Sequence, residues 1–184
     1  MKLYLVRHPK PAVAAGVCYG ATDVDVPDAA VHRVLDSLAG TLPTGVPVFS
    51  SPLRRCTALA VPLAARLGMS RPVLDARLVE MDFGSWEMQS WACMERAQVD
   101  AWVDDLTGYR PGDGENLLAV ERRVIGFLDG LLQTPIPSAI VVCHAGSIRL
   151  LLAWQHGDAP GDAARRAASA AHDIAYGQML ARDY

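Results

Sequence analysis

Residues 3–9 read Leu3-Tyr4-Leu5-Val6-Arg7-His8-Pro9, a short apolar run that ends in two basic side chains and a proline. A run this rich in Leu, Val and Tyr predicts a buried β-strand over residues 3–8, which Pro9 brings to an end. The run is too short for a signal peptide or a membrane span. The sequence therefore predicts a strand that carries Arg7 and His8 at its carboxyl end.

The rest of the chain alternates between short apolar runs and segments with helical periodicity. Further strands are predicted over residues 45–49, 73–74 and 139–143, with a last edge strand over 174–180. Helices are predicted over residues 28–39, 51–67, 89–106, 115–132, 147–154 and 163–171, with Asp28 capping the first and Ser51-Pro52 starting the second. Residues 9–28 predict a long, functional loop. We therefore predict one domain over 1–184, a three-layer α/β/α fold with a mostly parallel central sheet.

The composition narrows the classes of partner. Of the 184 residues 51% are hydrophobic and 20% are charged, and the formal net charge is −3. These values are typical of a globular protein and argue against nucleic acid or an anionic membrane as partner. The four cysteines contain no C-x-x-C pair and the five histidines no H-x-x-x-H pair. We therefore expect no disulfide, metal or cofactor and a cytoplasmic location, with the oligomeric state left open.

Three of the predicted strands end beside a cation or an imidazole. The first ends at Arg7 and His8, the second leads into Arg54 and Arg55, and the fourth leads into His144. In a mostly parallel sheet these ends meet at one edge, where α/β proteins bind their ligands. Arginine can bind two phosphate oxygens with its planar fork and does not deprotonate. The sequence therefore predicts a site for a phosphate dianion, to which the backbone N–H groups of the helix that begins at Gly146-Ser147 can add donors.

Four motifs, in order along the chain, resemble those of the histidine phosphatase superfamily, the phosphoglycerate mutase-like proteins. Residues 3–8 are similar to the opening strand of that family, whose signature is Arg-His-Gly. Residues 50–56 (Ser-Ser-Pro-Leu-Arg-Arg-Cys) look like its second motif. Residues 78–87 (Leu-Val-Glu-Met-Asp-Phe-Gly-Ser-Trp-Glu) resemble its acid motif, and residues 142–149 (Val-Cys-His-Ala-Gly-Ser-Ile-Arg) its closing motif. The resemblance implies a phosphoglycerate mutase-like fold.

The same resemblance implies roles for five side chains. It makes His8 the nucleophile that receives the phosphoryl group, and Glu80 the acid that protonates the leaving oxygen. Arg7, Arg55 and His144 stabilise the charge on the phosphoryl oxygens. In the family's second motif the arginine after Leu-x binds phosphate, which selects Arg55 rather than its neighbour. Related mutases are typically longer, so a chain of 184 residues favours hydrolysis of a phosphomonoester.

Within the superfamily, two segments look most like α-ribazole phosphatases, which act in cobalamin assembly. They are Cys18-Tyr19-Gly20-Ala21-Thr22-Asp23 and Met81-Asp82-Phe83-Gly84-Ser85-Trp86-Glu87. This resemblance implies a small phosphorylated metabolite such as α-ribazole 5′-phosphate as substrate, contacted by Tyr19, Thr22, Trp86 and Glu115. The chain departs from the signature at Pro9, which stands in place of glycine and lacks a backbone donor.

Two alternative interpretations come from the same residues. Cys143 and Arg149 spell Cys-x5-Arg, the phosphate loop of cysteine-dependent phosphatases, between a predicted strand and a predicted helix. This interpretation leaves the other three motifs unexplained. A non-catalytic phosphoester-binding module is the second alternative, and an assay with p-nitrophenyl phosphate distinguishes it. The remaining histidines, which are His32, His156 and His172, lack motif context and are predicted to be structural or at the surface.

Overall fold

Strand β1 (Lys2–Arg7) lies inside a five-stranded sheet, between β4 (Ser138–Cys143) and β5 (Met179–Asp183). The computed structural model describes residues 1–170 and 173–184. In it β1 runs parallel to β4, and Arg7 lies opposite Cys143, whereas β5 runs antiparallel to β1. Strands β2 (Val48–Ser50) and β3 (Val73–Leu74) continue the parallel arrangement beyond β4, which gives the order β3-β2-β4-β1-β5. The predicted, mostly parallel sheet is confirmed.

The two faces of this sheet are covered by helices. The helices in the described part of the chain are α1 (Asp28–Ser37), α2 (Arg54–Arg66), α3 (Arg96–Asp104), α4 (Leu117–Leu132), α5 (Ala145–Ala153) and α6 (Asp162–Ser169). Leu3 and Leu5 of β1 belong to a core formed with α4, α5 and α6, whereas Val6 belongs to a core formed with α1 and α2. Because neighbouring side chains of a strand point to opposite faces, β1 contributes to both cores. The three-layer α/β/α class is therefore confirmed.

One predicted strand outside the helices differs from the prediction, and one predicted loop agrees with it. The last strand begins at Met179, not at Ile174, because residues 175–178 form a turn. In that turn Gly177 has a φ of +76° and its N–H donates to the carbonyl of Arg7. Residues 8–27 form the predicted long loop, in which Val17 makes an isolated bridge to Ser90.

Three predicted helix boundaries are wrong. Asp28 does not cap α1 but is its first residue. Ser51-Pro52 does not start α2, which begins at Arg54 with extended backbone at Leu53, and the Ser51 hydroxyl makes a hydrogen bond with His144. The predicted helix over 89–106 is divided into a single 3₁₀ turn and α3, separated by extended backbone at Met94.

The end of α6 lies close to the residues that the structure does not describe. Helix α6 ends at Ser169, whereas the predicted end of this helix at Ala171 lies outside the described residues, as does His172. Within residues 1–170 and 173–184, no helix combines the length and the apolar character that a bilayer span requires. The residues that follow β1, β2 and β4 lie at the carboxyl edge of the sheet, where the candidate site is.

Candidate active site

His8 follows β1 directly and is almost fully buried, with 2% of its surface exposed. Its Nδ1 lies 2.7 Å from the carbonyl oxygen of Pro9. Because a carbonyl can only accept, this contact assigns the proton to Nδ1 and leaves a lone pair on Nε2. Burial, followed by the positive charge of Arg55, lowers the pKa of His8 to about 3. At neutral pH the side chain is therefore an uncharged imidazole with one free nitrogen.

His144 follows β4 and lies beside His8, with 5.1 Å between the two ring centroids. It is fully buried, and its Nε2 shares a 2.8 Å hydrogen bond with the hydroxyl of Ser51. Burial, together with the neighbouring His8 and Arg55, holds the pKa of His144 well below its usual value. Two neutral imidazoles therefore stand together at the carboxyl edge of the sheet.

Arg7 and Arg55 complete the cationic side of the site. Arg55 is fully buried and donates to the carbonyl oxygens of Gly20 and Thr22, the latter at 2.8 Å. Arg7 donates to the carbonyl oxygen of Ile174. Each guanidinium still has a buried Nε–H group without an acceptor among the described residues. Since buried donors are rarely left unpaired, both arginines are suited to an external anion.

Glu80 is held at the amino end of α5. Its Oε2 accepts a 3.0 Å hydrogen bond from the N–H of Gly146, and its Oε1 accepts from the N–H of Met81. A Cβ atom at residue 146 would lie 2.4 Å from Oε1 of Glu80, so this close approach requires glycine. The backbone therefore fixes the Glu80 carboxyl group at Gly146, which follows His144 by two positions in the chain.

A cavity of about 320 Å³ adjoins this carboxyl group. Its walls come from Glu80, Gly146 and Arg149, and from apolar or aromatic side chains, which are Tyr19, Met81, Phe83, Trp102, Leu106, Leu117, Val120 and Ala168. Small-molecule sites typically have such apolar walls around a few polar groups. The cavity is therefore suited to the part of a phosphoester that leaves after cleavage.

The predicted substrate contacts are divided between the cavity and its surroundings. Tyr19 borders the cavity. The hydroxyl of Thr22 donates to Glu87 instead. Trp86, with 3% of its surface exposed, packs against other aromatic rings and donates its indole N–H to Gln98.

Glu115 lies outside the cavity wall as well. Its carboxylate forms an ion pair with Arg123 at 2.7 Å and accepts a hydrogen bond from the N–H of Asp82. Burial alone would raise the pKa of Glu115, but the Arg123 guanidinium outweighs it and the pKa is lowered. The structure thus brings five predicted residues to one edge of the sheet, which are Arg7, His8, Arg55, Glu80 and His144. Of the predicted substrate contacts, Tyr19 lines the cavity, whereas Thr22, Trp86 and Glu115 do not.

Two residues of the site were missed at the sequence level. Glu87 accepts hydrogen bonds from three consecutive backbone N–H groups, those of residues 20–22, at 2.9, 3.0 and 3.1 Å, and from that of Phe83 at 3.0 Å. Tyr176 lies with its ring 5.6 Å from that of His8 and 3.9 Å from the guanidinium carbon of Arg7. The acid motif ends at Glu87 and could have indicated it, whereas no sequence signal marks Tyr176.

Cys143 does not have the environment of a nucleophile. It is fully buried in the core, and burial raises the pKa of its thiol well above the usual value. A nucleophilic cysteine needs a stabilised thiolate, so this environment disfavours the cysteine interpretation. Arg149, the other residue of that interpretation, donates to the carbonyl oxygen of Ala167.

This sheet, with two imidazoles and two arginines at its carboxyl edge, is the architecture of phosphoglycerate mutase-like domains. The model of the family described as "Histidine phosphatase superfamily (branch 1)" matches residues 3–175. The chain therefore belongs to the histidine phosphatase superfamily. The match covers all four motifs on which the resemblance was based.

Individual relatives carry names that refer to different activities. A Hydrogenobacter thermophilus protein provisionally named phosphoserine phosphatase 2 is 27% identical over 156 residues, which cover 82% of this chain and 76% of that protein. The structure of phosphoglycerate mutase from Thermus thermophilus is similar with a TM-score of 0.75 and 28% identity, covering 100% of this chain and 94% of the other. The mycobacterial glucosyl-3-phosphoglycerate phosphatase in complex with VO3 has a TM-score of 0.70 and 26% identity, over 83% of this chain and 80% of the other.

Proposed function

We propose that this chain is a phosphomonoester hydrolase that works through a phosphohistidine at His8. One observation carries the proposal: the Nδ1–H of His8 donates to the Pro9 carbonyl, which leaves the Nε2 lone pair free beside two arginines. The departure from the family signature at Pro9 does not remove this contact, because only the carbonyl of residue 9 takes part. A neutral imidazole fixed in one tautomer is a competent nucleophile.

The reaction proceeds in two displacements. In the first, a bond forms between His8 Nε2 and phosphorus while the bond to the ester oxygen breaks, and Glu80 gives its proton to that oxygen. In the second, water attacks the phosphohistidine, Glu80 takes a proton from the water, and phosphate is released from His8. Arg7, Arg55 and His144 stabilise the charge on the phosphoryl oxygens in both steps.

The substrate we propose is a small phosphorylated metabolite whose leaving group occupies the cavity beside Glu80 and Tyr19. The apolar walls suit the aromatic base of α-ribazole 5′-phosphate, which the resemblance at residues 18–23 and 81–87 puts first among the compounds to test. The names of the relatives add phosphoserine and 3-phosphoglycerate derivatives to the panel. We assign to Thr22, Trp86 and Glu115 a supporting role behind the site rather than contact with substrate.

The proposal is tested by trapping the intermediate. Wild type should hydrolyse p-nitrophenyl phosphate and form a phosphoenzyme that is labile in acid and stable in alkali, as a phosphoramidate is. His8→Ala should lose both, with turnover reduced by about 10⁴-fold or more. The matched control is His32→Ala, since His32 is exposed on α1 and should be dispensable. An active His8→Ala variant, or an intermediate that survives acid, would refute the proposal, and binding without any turnover would support the non-catalytic module.

A further inference from the structure

Two tyrosines from distant parts of the chain meet over the proposed nucleophile. Tyr19 belongs to the loop after β1, and Tyr176 to the turn before β5, yet their hydroxyl groups share a 2.7 Å hydrogen bond. The Tyr176 ring lies 5.6 Å from the ring of His8. The pair therefore connects two segments across the carboxyl edge of the sheet.

Each tyrosine also contacts one of the site arginines. The guanidinium carbon of Arg7 lies 3.9 Å from the centre of the Tyr176 ring, and that of Arg55 lies 5.4 Å from the centre of the Tyr19 ring. Both distances are those of cation–π contacts, and the shorter one places the guanidinium of Arg7 directly on the ring. Apart from this ring, Arg7 is held by its hydrogen bond to the carbonyl of Ile174. The Tyr176 ring is thus one of two contacts in the described part of the chain that orient the Arg7 guanidinium.

The groups beneath the pair are closed off from solvent. His8 is 2% exposed, and Arg55 and His144 are fully buried, whereas 38% of Tyr176 is exposed. Tyr19 lines both the cavity beside Glu80 and a second cavity of about 230 Å³, whose walls also include Tyr176 and residues 13–17. The pair therefore limits the access of a phosphate group to His8.

The backbone around both tyrosines is anchored. The N–H of Cys18 donates to the carbonyl of Gln89, and the N–H of Gly20 donates to Glu87. On the other side, the N–H of Gly177 donates to the carbonyl of Arg7. These anchors favour opening by rotation of the tyrosine side chains over opening by movement of the loops.

We propose that Tyr19 and Tyr176 form a gate over the phosphate site, and that the ring of Tyr176 is in addition a positioning group for Arg7. The inference rests on the proposed function in one respect, because it takes His8 as the group that the gate covers. The hydroxyl of Tyr176 closes the gate, and its ring orients the arginine. A substitution can therefore remove one property and keep the other.

The gate is tested by the accessibility of His8, which requires no turnover. Tyr19→Phe and Tyr176→Phe each remove the shared hydrogen bond and keep both rings. The free energy of one such bond predicts that carbethoxylation of His8 by diethyl pyrocarbonate, followed by peptide mass spectrometry, becomes about two- to tenfold faster. The double variant should gain no more than either single variant, because all three lack the same bond.

Two controls accompany this measurement. His32, exposed on α1, should react at the same rate in every variant and calibrates the reagent. Tyr184→Phe removes another tyrosine hydrogen bond, the 2.8 Å donation to the carbonyl of Leu151, and should leave the rate at His8 unchanged. Equal rates at His8 in wild type and Tyr176→Phe would overturn the gate. This result is independent of phosphatase activity, so it is distinguishable from a failure of the proposed function.

The positioning role is tested by comparing Tyr176→Leu with Tyr176→Phe. Leucine removes both the hydroxyl and the ring, so Arg7 loses its support, and kcat with p-nitrophenyl phosphate should fall by about tenfold or more. Phenylalanine restores the ring and should rescue that loss, while kcat/KM exceeds the wild-type value because the gate is open. Thermal unfolding of both variants verifies that they fold. Equal kcat values in the two folded variants would overturn the positioning role.

Discussion

Replacement of Glu87 by glutamine should weaken both the fold and the site. The carboxylate accepts hydrogen bonds from the N–H groups of residues 20–22, from the hydroxyl of Thr22 and from the N–H of Phe83. Burial alone would raise the pKa of Glu87, but these donors, with the Thr22 hydroxyl foremost, lower it. The amide of glutamine has one accepting oxygen, and its NH₂ group faces donors. An NH₂ group in place of Oε1 loses two bonds, those from the N–H groups of Ala21 and Phe83. At about 1.5 kcal/mol each, the low end for a charge-assisted bond, the unfolding free energy should fall by about 3 kcal/mol.

The same substitution should reach the chemistry through Arg55. The carbonyl oxygens of Gly20 and Thr22 orient this guanidinium, and Glu87 fixes the segment that carries them. The loss of unfolding free energy should lower the melting temperature by about 5–15 °C for a chain of this size. The value of kcat/KM with p-nitrophenyl phosphate should fall by about 10- to 100-fold. Glu95→Gln, at an exposed carboxylate before α3, is the control. A Glu87→Gln protein with the melting temperature and activity of this control would refute the reasoning.

Four other outcomes follow from the site. Glu80→Gln should slow hydrolysis of alkyl phosphates much more than that of p-nitrophenyl phosphate, because a good leaving group needs little protonation, and equal losses in the two assays would exclude Glu80 as the acid. Gly146→Ala should lower kcat for alkyl phosphates by about tenfold or more, since its Cβ would displace Glu80, whereas Gly126→Ala, with open space at the Cβ, should not. Cys143→Ser should keep its phosphoenzyme and most of its activity while it unfolds more easily by about 1–3 kcal/mol, and loss of the phosphoenzyme would revive the cysteine interpretation. Because the pKa of His8 is lowered, the unfolded chain binds a proton between about pH 6.5 and 3 that the folded chain excludes. The unfolding free energy should therefore decrease as the pH is lowered through this range. Urea titrations should show a smaller decrease for His8→Ala than for wild type.

The places of Arg7, His8 and His144 could be predicted because strand register determines them. Arg7 and His8 end β1, His144 follows β4, and these strands pair in parallel from end to end. Arg55 and its neighbour in sequence were equivalent by position, and only the family pattern chose between them. The structure gives the physical reason, since Arg54 forms ion pairs with Asp23 and Asp25 at the surface.

The surroundings of the site could not be predicted, because they depend on how the chain folds back on itself. Thr22, Trp86 and Glu115 lie in or near the right motifs, but their partners, Glu87, Gln98 and Arg123, follow from tertiary contacts. Tyr176 was inside a predicted strand. A turn there moves β5 five residues along the chain and leaves the tyrosine over His8. Periodicity cannot reveal such a turn, since its decisive contact is a hydrogen bond from Gly177 to Arg7.

Glu80 and Glu87 belong to one short motif but differ in their hydrogen-bond partners. Both glutamates lie in the segment 78–87, and by residue type either could be the acid. Glu87 is surrounded by five donors, all of which favour the ionised form and disfavour a role as proton donor. Glu80 accepts from two backbone N–H groups and borders the cavity, where a leaving oxygen can approach it. The number and direction of hydrogen-bond donors therefore support the proposed role of Glu80 as the acid and give Glu87 the role of a loop anchor.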